Sequence, residues 1–105
     1  MGATNVGYWS IADGAESTAL GFTAQSTGVG TLALGAYAQA GGTGDMAAGE
    51  HSVGMGGQAV AVGSHAVAFE QATAVGNNTL ALGEGSLALG SDDTYRGSDL
   101  SLIHI

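Results

Sequence analysis

The side chains best suited to chemistry in this chain are two histidines and the carboxylate beside one of them. His51 and His65 lie at equivalent positions in two successive internal repeats of the sequence, and Glu50 precedes the first. Imidazole nitrogens and carboxylate oxygens ligate zinc, but such a site needs a further ligand at suitable geometry. Histidines so placed would instead stack on neighbouring turns of a repeating structure. We predict exposed corner residues here and no metal site.

The other candidates for catalysis or cofactor binding are weaker still. No Gly-x-Ser-x-Gly turn presents a serine nucleophile, and the adjacent acids Asp92 and Asp93 lie where the internal pattern of the chain decays. The stretch GGTGD at residues 41–45 resembles a calcium-binding nonapeptide, but that motif needs its aspartate one place later, where Met46 stands. A phosphate-binding loop needs a lysine, and the chain has none. We predict that the protein is not an enzyme and binds no cofactor.

The composition excludes several classes of partner. The 105 residues include 20 Gly, 19 Ala, no Pro and no Cys, and nine acidic residues stand against one basic residue, Arg96, for a formal net charge of −8. So negative a chain cannot neutralise phosphate groups, so we expect no nucleic-acid partner. Residues 17–44 carry no charge, but their Gly, Thr, Ser and Gln content is too polar for insertion into a bilayer. We expect no direct membrane insertion of this segment.

Glycine recurs at every seventh position through most of the chain. One residue is missing near Glu70 and Gln71, after which the period resumes at Gly76. Within each heptad that ends on glycine, the third residue is small, the fourth and sixth are usually apolar, and the fifth is nearly always alanine. The period predicts structural turn glycines at Gly21, Gly28, Gly35, Gly42, Gly49, Gly56, Gly63, Gly76, Gly83 and Gly90.

A heptad period is also typical of coiled coils, but the apolar spacing here is that of β-strands. Coiled coils repeat apolar residues three and four apart, whereas these are two apart, on one face of a strand. A glycine in every heptad would cost a helix about 1 kcal/mol each time. Segments 17–30 and 31–44 are identical at 7 of 14 positions, so the repeating unit is two heptads long and contains two short strands. Such units predict an all-β fold, a parallel β-roll or solenoid.

The alternation within each strand leads to a prediction of the core. We expect the fourth and sixth residues of the heptads to point into the roll. Because each turn of the roll would then bury few side chains, we also expect three copies to pack together through flat faces of Ala, Ser and Thr. The predicted roll core comprises Leu20, Leu32, Leu34, Val53, Val60, Val62, Val67, Phe69, Val75, Leu80, Leu82, Leu87 and Leu89.

Four ring-bearing residues near the corners form a possible contact surface, namely Phe22, Tyr37, His51 and His65. Covering an edge of the roll or filling grooves between copies is an equally good interpretation of the aromatic pair. Residues 1–14 are predicted to form an imperfect N-terminal coil or cap, with Tyr8 and Trp9 covering the open end. Residues 15–97 carry the repeats. Residues 98–105 abandon the pattern and are interpreted as a non-repeat tail that is disordered or artefactual.

The repeated strings STALG, TLALG, AVAVG and SLALG identify a family resemblance. Residues 77–86, NNTLALGEGS, resemble the head-repeat signature of trimeric autotransporter adhesins, whose type example is the YadA head. The resemblance covers residues 15–97 and implies a left-handed parallel β-roll that assembles as a homotrimer on the bacterial surface. Tail fibres of bacteriophages use similar repeats, so the resemblance leaves the host open.

The functional expectation follows from that resemblance. It implies a head-domain fragment of a surface adhesin, which would bind extracellular matrix, cell-surface proteins or glycans by multivalent contact. The resemblance also implies anchoring to the outer membrane through parts that lie outside this segment. Two alternatives stay open: a segment of a phage tail fibre on a virion, or a purely structural or ice-binding solenoid.

Overall fold

The computed structural model describes residues 2–90 and the backbone of residues 94–95 as two parallel β-sheets, without a helix. The predicted all-β solenoid, with one turn for every two heptads, is confirmed. Sheet 1 contains β1 (Thr4–Val6), β3 (Thr18–Leu20), β5 (Leu32–Leu34), β7 (Met46–Ala48), β9 (Val60–Val62), β11 (Thr73–Val75) and β13 (Leu87–Leu89). Sheet 2 contains β2 (Ile11–Ala12), β4 (Gln25–Ser26), β6 (Gln39–Ala40), β8 (Val53–Met55), β10 (Val67–Phe69), β12 (Leu80–Ala81) and β14 (Thr94–Tyr95). The predicted tail, residues 98–105, lies outside the described residues.

The register of the strands follows the sequence repeat. Each strand pairs in parallel with the strand two further along the chain, so that Thr18 lies opposite Leu32. Between β9 and β11 the offset shortens, and Val60 lies opposite Thr73. One corner near Glu70 is therefore one residue shorter than the others, and both sheets continue past it without interruption. The strands of residues 2–14 pair with β3 and β4 in the same way, so the roll extends to this end of the described chain.

The interior of the roll is built from the smallest side chains. The fully buried residues with an apolar side chain are all alanines, and the other buried positions carry Ser, Thr, Asp or Gly. In most of the three-residue strands the middle residue is buried and its two neighbours are half-buried, as in β5, where Ala33 is buried between Leu32 and Leu34. Because successive side chains of a strand point to opposite faces, the alanines face inward and the large aliphatic residues face outward.

The predicted roll core is therefore wrong for the single chain. Phe69 is 38% exposed, and the other predicted core residues are half-buried on the outer faces of the two sheets: Leu20, Leu32, Leu34, Val53, Val60, Val62, Val67, Val75, Leu80, Leu82, Leu87 and Leu89. Corners of two residues hold the sheets so close that a methyl or hydroxymethyl group fills the space between them. Larger aliphatic side chains fit only outside.

Buried hydroxyl groups stabilise the corners from within. Ser17 Oγ donates to the Gly14 carbonyl at 2.6 Å, and Ser52 Oγ donates to the Gly49 carbonyl at 2.8 Å. These bonds satisfy both the hydroxyl and a carbonyl oxygen of the turn, so the polar groups are buried without a large desolvation cost. Where the third residue of a heptad is Ser or Thr, it therefore faces inward, and in most coils its hydroxyl closes the turn.

Asp45, like these two serines, is the third residue of its heptad, and its side chain forms hydrogen bonds to two successive coils. It is 1% exposed, and its carboxylate accepts from Gly42 N at 2.6 Å and from Ala59 N at 2.9 Å. Ala59 belongs to the next coil, whose corner at Gly56 and Gly57 has an altered backbone. Replacing Asp45 by Ala is expected to lower the free energy of unfolding by about 1–3 kcal/mol, because the buried N–H of Ala59 and the half-buried N–H of Gly42 lose their acceptor.

Urea unfolding followed by circular dichroism measures this effect, and Ser86→Ala is the matched control. Ser86 lies in the same inward position, and its buried Oγ has no hydrogen-bond partner among the described residues. Its removal is expected to be neutral within about 0.5 kcal/mol. Equal losses in Asp45→Ala and Ser86→Ala would contradict the assigned role of the carboxylate.

Candidate binding surfaces

The outer face of sheet 1 is a continuous apolar surface, here called the apolar face. Two columns of side chains run along it, and none of them is charged. One column contains Thr18, Leu32, Met46, Val60, Thr73 and Leu87, and the other contains Leu20, Leu34, Ala48, Val62, Val75 and Leu89. All twelve residues are half-buried in the single chain. A flat apolar surface of this length is unusual on a monomer and is typical of a contact surface.

The outer face of sheet 2 is divided into two halves. Towards the N-terminus it presents Gln25 and Gln39, which pair with each other across β4 and β6. Further along, the corresponding positions are apolar: Val53 pairs with Val67, and Val67 with Leu80. The second half of sheet 2 is therefore a shorter apolar surface, on the side of the roll opposite to the apolar face.

The corners that follow β1, β3, β5, β7 and β9 of sheet 1 together carry a ladder of ring side chains, here called the aromatic ridge: Tyr8, Trp9, Phe22, Tyr37, His51 and His65. Ring centroids are 4.5 Å apart for Tyr8 and Trp9 and 5.5 Å apart for Phe22 and Tyr37. At 85° between ring planes, the latter contact is edge-to-face. Edge-to-face and offset-stacked contacts both stabilise aromatic pairs.

The two halves of the aromatic ridge differ in how much ring surface they offer. Tyr37 stacks on His51 at 4.7 Å, and His51 stacks on His65 at 5.1 Å, so these rings cover one another. Tyr8 and Trp9 are 64% and 66% exposed. Trp9 lies beside Tyr8 and Phe22 and still keeps most of its surface in contact with solvent. The N-terminal half is thus the more accessible part.

The backbone of this corner is strained in a position filled by large side chains. Trp9, Tyr37, His51 and His65 have φ values of 62°, 63°, 60° and 63°. Glycine or asparagine adopts this left-handed conformation most easily, and Asn78 fills the same position in a later coil. Stacking between rings offsets part of the cost of placing bulky residues there.

The opposite corner has a different chemistry. A depression of about 270 Å³ is lined by Thr43, Gly56, Gly57, Gln58, Glu70, Gln71 and Glu84. Its two carboxylates belong to successive coils, and Gln71 Nε2 donates to Gln58 Oε1 at 3.3 Å. Over residues 2–90 no three His, Cys, Asp or Glu side chains are grouped so that they could hold a metal ion. The imidazole of His51 lies 3.9 Å from the Glu50 carboxylate at an exposed corner.

The structure brings together the four residues predicted as a contact surface, Phe22, Tyr37, His51 and His65, in the aromatic ridge. Sequence reasoning assigned Tyr8 and Trp9 to the end of the roll and missed that they continue this ladder. The signal was present, because Trp9 precedes Tyr37 by two full repeats of the sequence. All ten predicted turn glycines lie at bends of the backbone: Gly21, Gly28, Gly35, Gly42, Gly49, Gly56, Gly63, Gly76, Gly83 and Gly90.

The model of the YadA head domain repeat matches the chain at residues 2–24, 26–49, 47–69 and 70–92. The chain belongs to this family. The predicted YadA-like repeat is thus confirmed, and the match begins closer to the N-terminus than the predicted boundary at residue 15. The YadA head repeat is a structural domain of surface-exposed autotransporter adhesins and does not define a family of enzymes. No curated protein matches the chain in a sequence search.

The described part of this YadA head repeat contains no transmembrane helix. Its residues form strands and turns, and no helix there has the length and apolar character needed to cross a bilayer. The two surfaces with recognisable binding character are therefore the apolar face and the aromatic ridge. They lie on different sides of the roll, so one can be buried between copies while the other stays accessible.

Proposed function

We propose that this chain is the head of a homotrimeric surface adhesin that attaches its bearer to extracellular matrix or to the proteins and glycans of other cells. The observation that carries the proposal is the apolar face, which runs uncharged along sheet 1 of a YadA head repeat. In this proposal the head stands at the cell surface and is tethered to the outer membrane by other parts of the adhesin.

Self-association follows from the distribution of apolar groups. The roll encloses mostly methyl groups, and burying so little apolar surface offers limited stabilisation. The larger side chains, such as Leu34 and Val62, are half-buried on the outside. Packing a second copy on them removes this surface from water without changing the roll. A copy of the same chain is the occupant that would complete the hydrophobic core.

A closed ring of three copies uses both apolar surfaces. A two-fold dimer through the apolar face would leave the apolar half of sheet 2 uncovered. In the ring of three copies, the apolar face of each copy is directed towards the common three-fold axis. The half of sheet 2 around Val53, Val67 and Leu80 would be covered in part by the edge of a neighbouring copy. All rolls are then parallel, and equivalent binding surfaces point in one direction.

The charges favour corners that face outward in the assembly. Each copy carries a formal net charge of −8, and Glu16, Glu50, Glu70 and Glu84 lie at corners, where they are exposed. Burying like charges between copies would oppose association, whereas corners at the periphery keep them in water. Three aligned copies also present each corner surface three times, so weak contacts add through avidity.

Sedimentation equilibrium of the chain, with beads coated in the same protein, tests the proposal. The native chain is expected to be trimeric. Leu34→Asp is expected to be monomeric with association at least about a hundredfold weaker, because a carboxylate enters the apolar contact. Thr43→Asp adds the same charge at an exposed corner and is expected to stay trimeric. Beads carrying the trimer are expected to adhere to collagen films or cultured epithelial cells more strongly than beads carrying Leu34→Asp.

Two results would contradict the proposal. A native chain that is monomeric and well folded at all concentrations would remove the trimer. Beads that adhere to neither surface, although their protein is trimeric, would remove the attachment function.

A further inference from the structure

We propose that the aromatic ridge binds an uncharged glycan, and that the N-terminal half of the ridge, Tyr8, Trp9 and Phe22, is its main contact. This inference rests on the proposed attachment function and names the chemical class that one surface of the head recognises. The ring ladder, its strained backbone and the charges around it each support the assignment.

The rings are exposed in a form that sugars can use. Tyr8, Trp9 and Phe22 are 64%, 66% and 39% exposed, and their centroids lie within 4.5 to 6.2 Å of one another. The face of an aromatic ring carries partial negative charge, and the axial C–H groups of a pyranose ring carry partial positive charge. A sugar in which the hydroxyl groups are equatorial can therefore pack its flat C–H surface on the exposed part of the Trp9 indole ring.

The backbone conformation at Trp9 and Tyr37 is energetically unfavourable for residues with large side chains. Trp9 and Tyr37 occupy the left-handed position of their turns, where asparagine or glycine would avoid the strain. At the opposite corner the equivalent position is filled by glycine in some coils and by a polar residue in others: Gly30, Gly44 and Gly85, and Glu16, Gln58 and Gln71. The same left-handed turn is formed with Thr23, Gln58 or Gln71, so the turn does not require a ring. The presence of large rings at one corner is therefore better explained by recognition than by the requirements of the turn.

Polar side chains flank the rings along the same edge. Thr23, Ser64 and Asn77 lie at this corner, in the coils of Phe22, His65 and Asn78. Their hydroxyl and amide groups can exchange hydrogen bonds with sugar hydroxyls. A convex ridge cannot enclose a single sugar as a pocket does, so the expected ligand is a chain of several sugars that lies along the coils.

The charge of the head determines which glycans fit. Residues 2–90 contain no lysine or arginine, and the corners that carry the ridge include one carboxylate, that of Glu50 beside His51. Sialylated or sulfated glycans would meet like charge without a cation to pair with. A β-linked chain of uncharged pyranoses has the flat C–H faces and the neutrality that the ridge requires.

Titration of the 105-residue chain with the β-1,4-linked hexamer of N-acetylglucosamine, followed by calorimetry, tests the proposal. Trp9 is the only tryptophan, so its fluorescence reports contact at the ridge directly. We expect saturable binding, a change in Trp9 emission, and little dependence on salt concentration. A sulfated heparin hexasaccharide is expected not to bind.

Variants separate the ridge from the rest of the surface. Trp9→Asn and Tyr37→Asn keep a residue suited to the left-handed position and remove the ring. We expect Trp9→Asn to weaken binding at least about tenfold, because each stacked ring contributes to affinity. We expect Tyr37→Asn to weaken binding less, because Tyr37 is less exposed than Trp9 and offers less ring surface to the sugar. Gln71→Asn makes a similar change at the opposite corner, where φ is 63°, and is expected to bind like the native chain.

Each other outcome overturns the inference. These outcomes are no binding of the hexamer, unchanged binding by Trp9→Asn, preference for the heparin hexasaccharide, or dissociation of the trimer by Trp9→Asn, which would place the ridge between copies. Failure here is distinguishable from failure of the proposed function. Beads that adhere to collagen but do not bind the hexamer refute the glycan and leave attachment intact, whereas a monomeric chain that binds the hexamer refutes only the trimer.

Discussion

Replacing Ala61 by Leu is expected to unfold the roll. Ala61 is 0% exposed in β9, paired with Ala47 on one side and Ala74 on the other. An isobutyl group at this position must enter a space that holds a methyl group between two sheets. Overpacking a tight core costs about 1–3 kcal/mol and sometimes more, and the uniform alanine interior offers no larger cavity for relief. We expect a loss of about 3 kcal/mol or more, against the roughly 5–15 kcal/mol typical of a whole domain.

Thermal unfolding followed by circular dichroism measures this change at a fixed protein concentration, because self-association alters the apparent stability. The midpoint for Ala61→Leu is expected to fall by more than about 10 °C. Val60→Leu is the matched control, since Val60 is the preceding residue of the same strand and faces outward. It is expected to cost about 1.5 kcal/mol at most. A stable Ala61→Leu with an unfolded Val60→Leu would show that the interior lies on the other side of the strand.

Replacing Gly49 by Ala is expected to have a comparable effect for a different reason. Gly49 has a φ of 133°, which side chains of L-residues rarely adopt. A Cβ there would lie 2.4 Å from the carbonyl oxygen of Gly63 in the next coil. Backbone strain of this kind costs about 1–3 kcal/mol. The overlap with a hydrogen-bonded backbone adds to this cost, because the coil can relieve it only by separating.

Urea unfolding is the suitable measurement, with a lower midpoint and an unchanged slope expected for Gly49→Ala. Gly30→Asn is the control. Gly30 also has a positive φ, 67°, but a Cβ there would meet nothing within 4 Å. Asparagine tolerates this conformation, so the change is expected to stay within about 0.5 kcal/mol. If both variants lose the same amount of stability, the close approach of Gly49 to Gly63 of the next coil does not explain why glycine is required at this corner.

The period of the roll can be predicted from the sequence because it is set by local features, namely the corner glycines and the alternation within each short strand. A glycine such as Gly49 marks a corner, and alternation over two or three residues marks each short strand. The shortened unit near Glu70 appears in the sequence as a missing residue and in the structure as the pairing of Val60 with Thr73. The aromatic ridge was readable in part, since rings separated by multiples of the repeat must stack. The place of Tyr8 and Trp9 in the ridge is not predicted, because sequence reasoning assigns these two residues to an end cap.

The amino-acid sequence is sufficient to predict a parallel β-solenoid of two-heptad coils with the repeat of a YadA head. It did not determine which face of each strand is inside, because alternation is the same from either side and both sets of residues are compatible with burial. Only the tertiary structure decided this. Two-residue corners bring the sheets so close that Ala33 and Ala61 fill the interior, and Leu32, Leu34 and their equivalents remain outside as the apolar face. The rule that large apolar residues lie inside therefore fails for one copy of the chain.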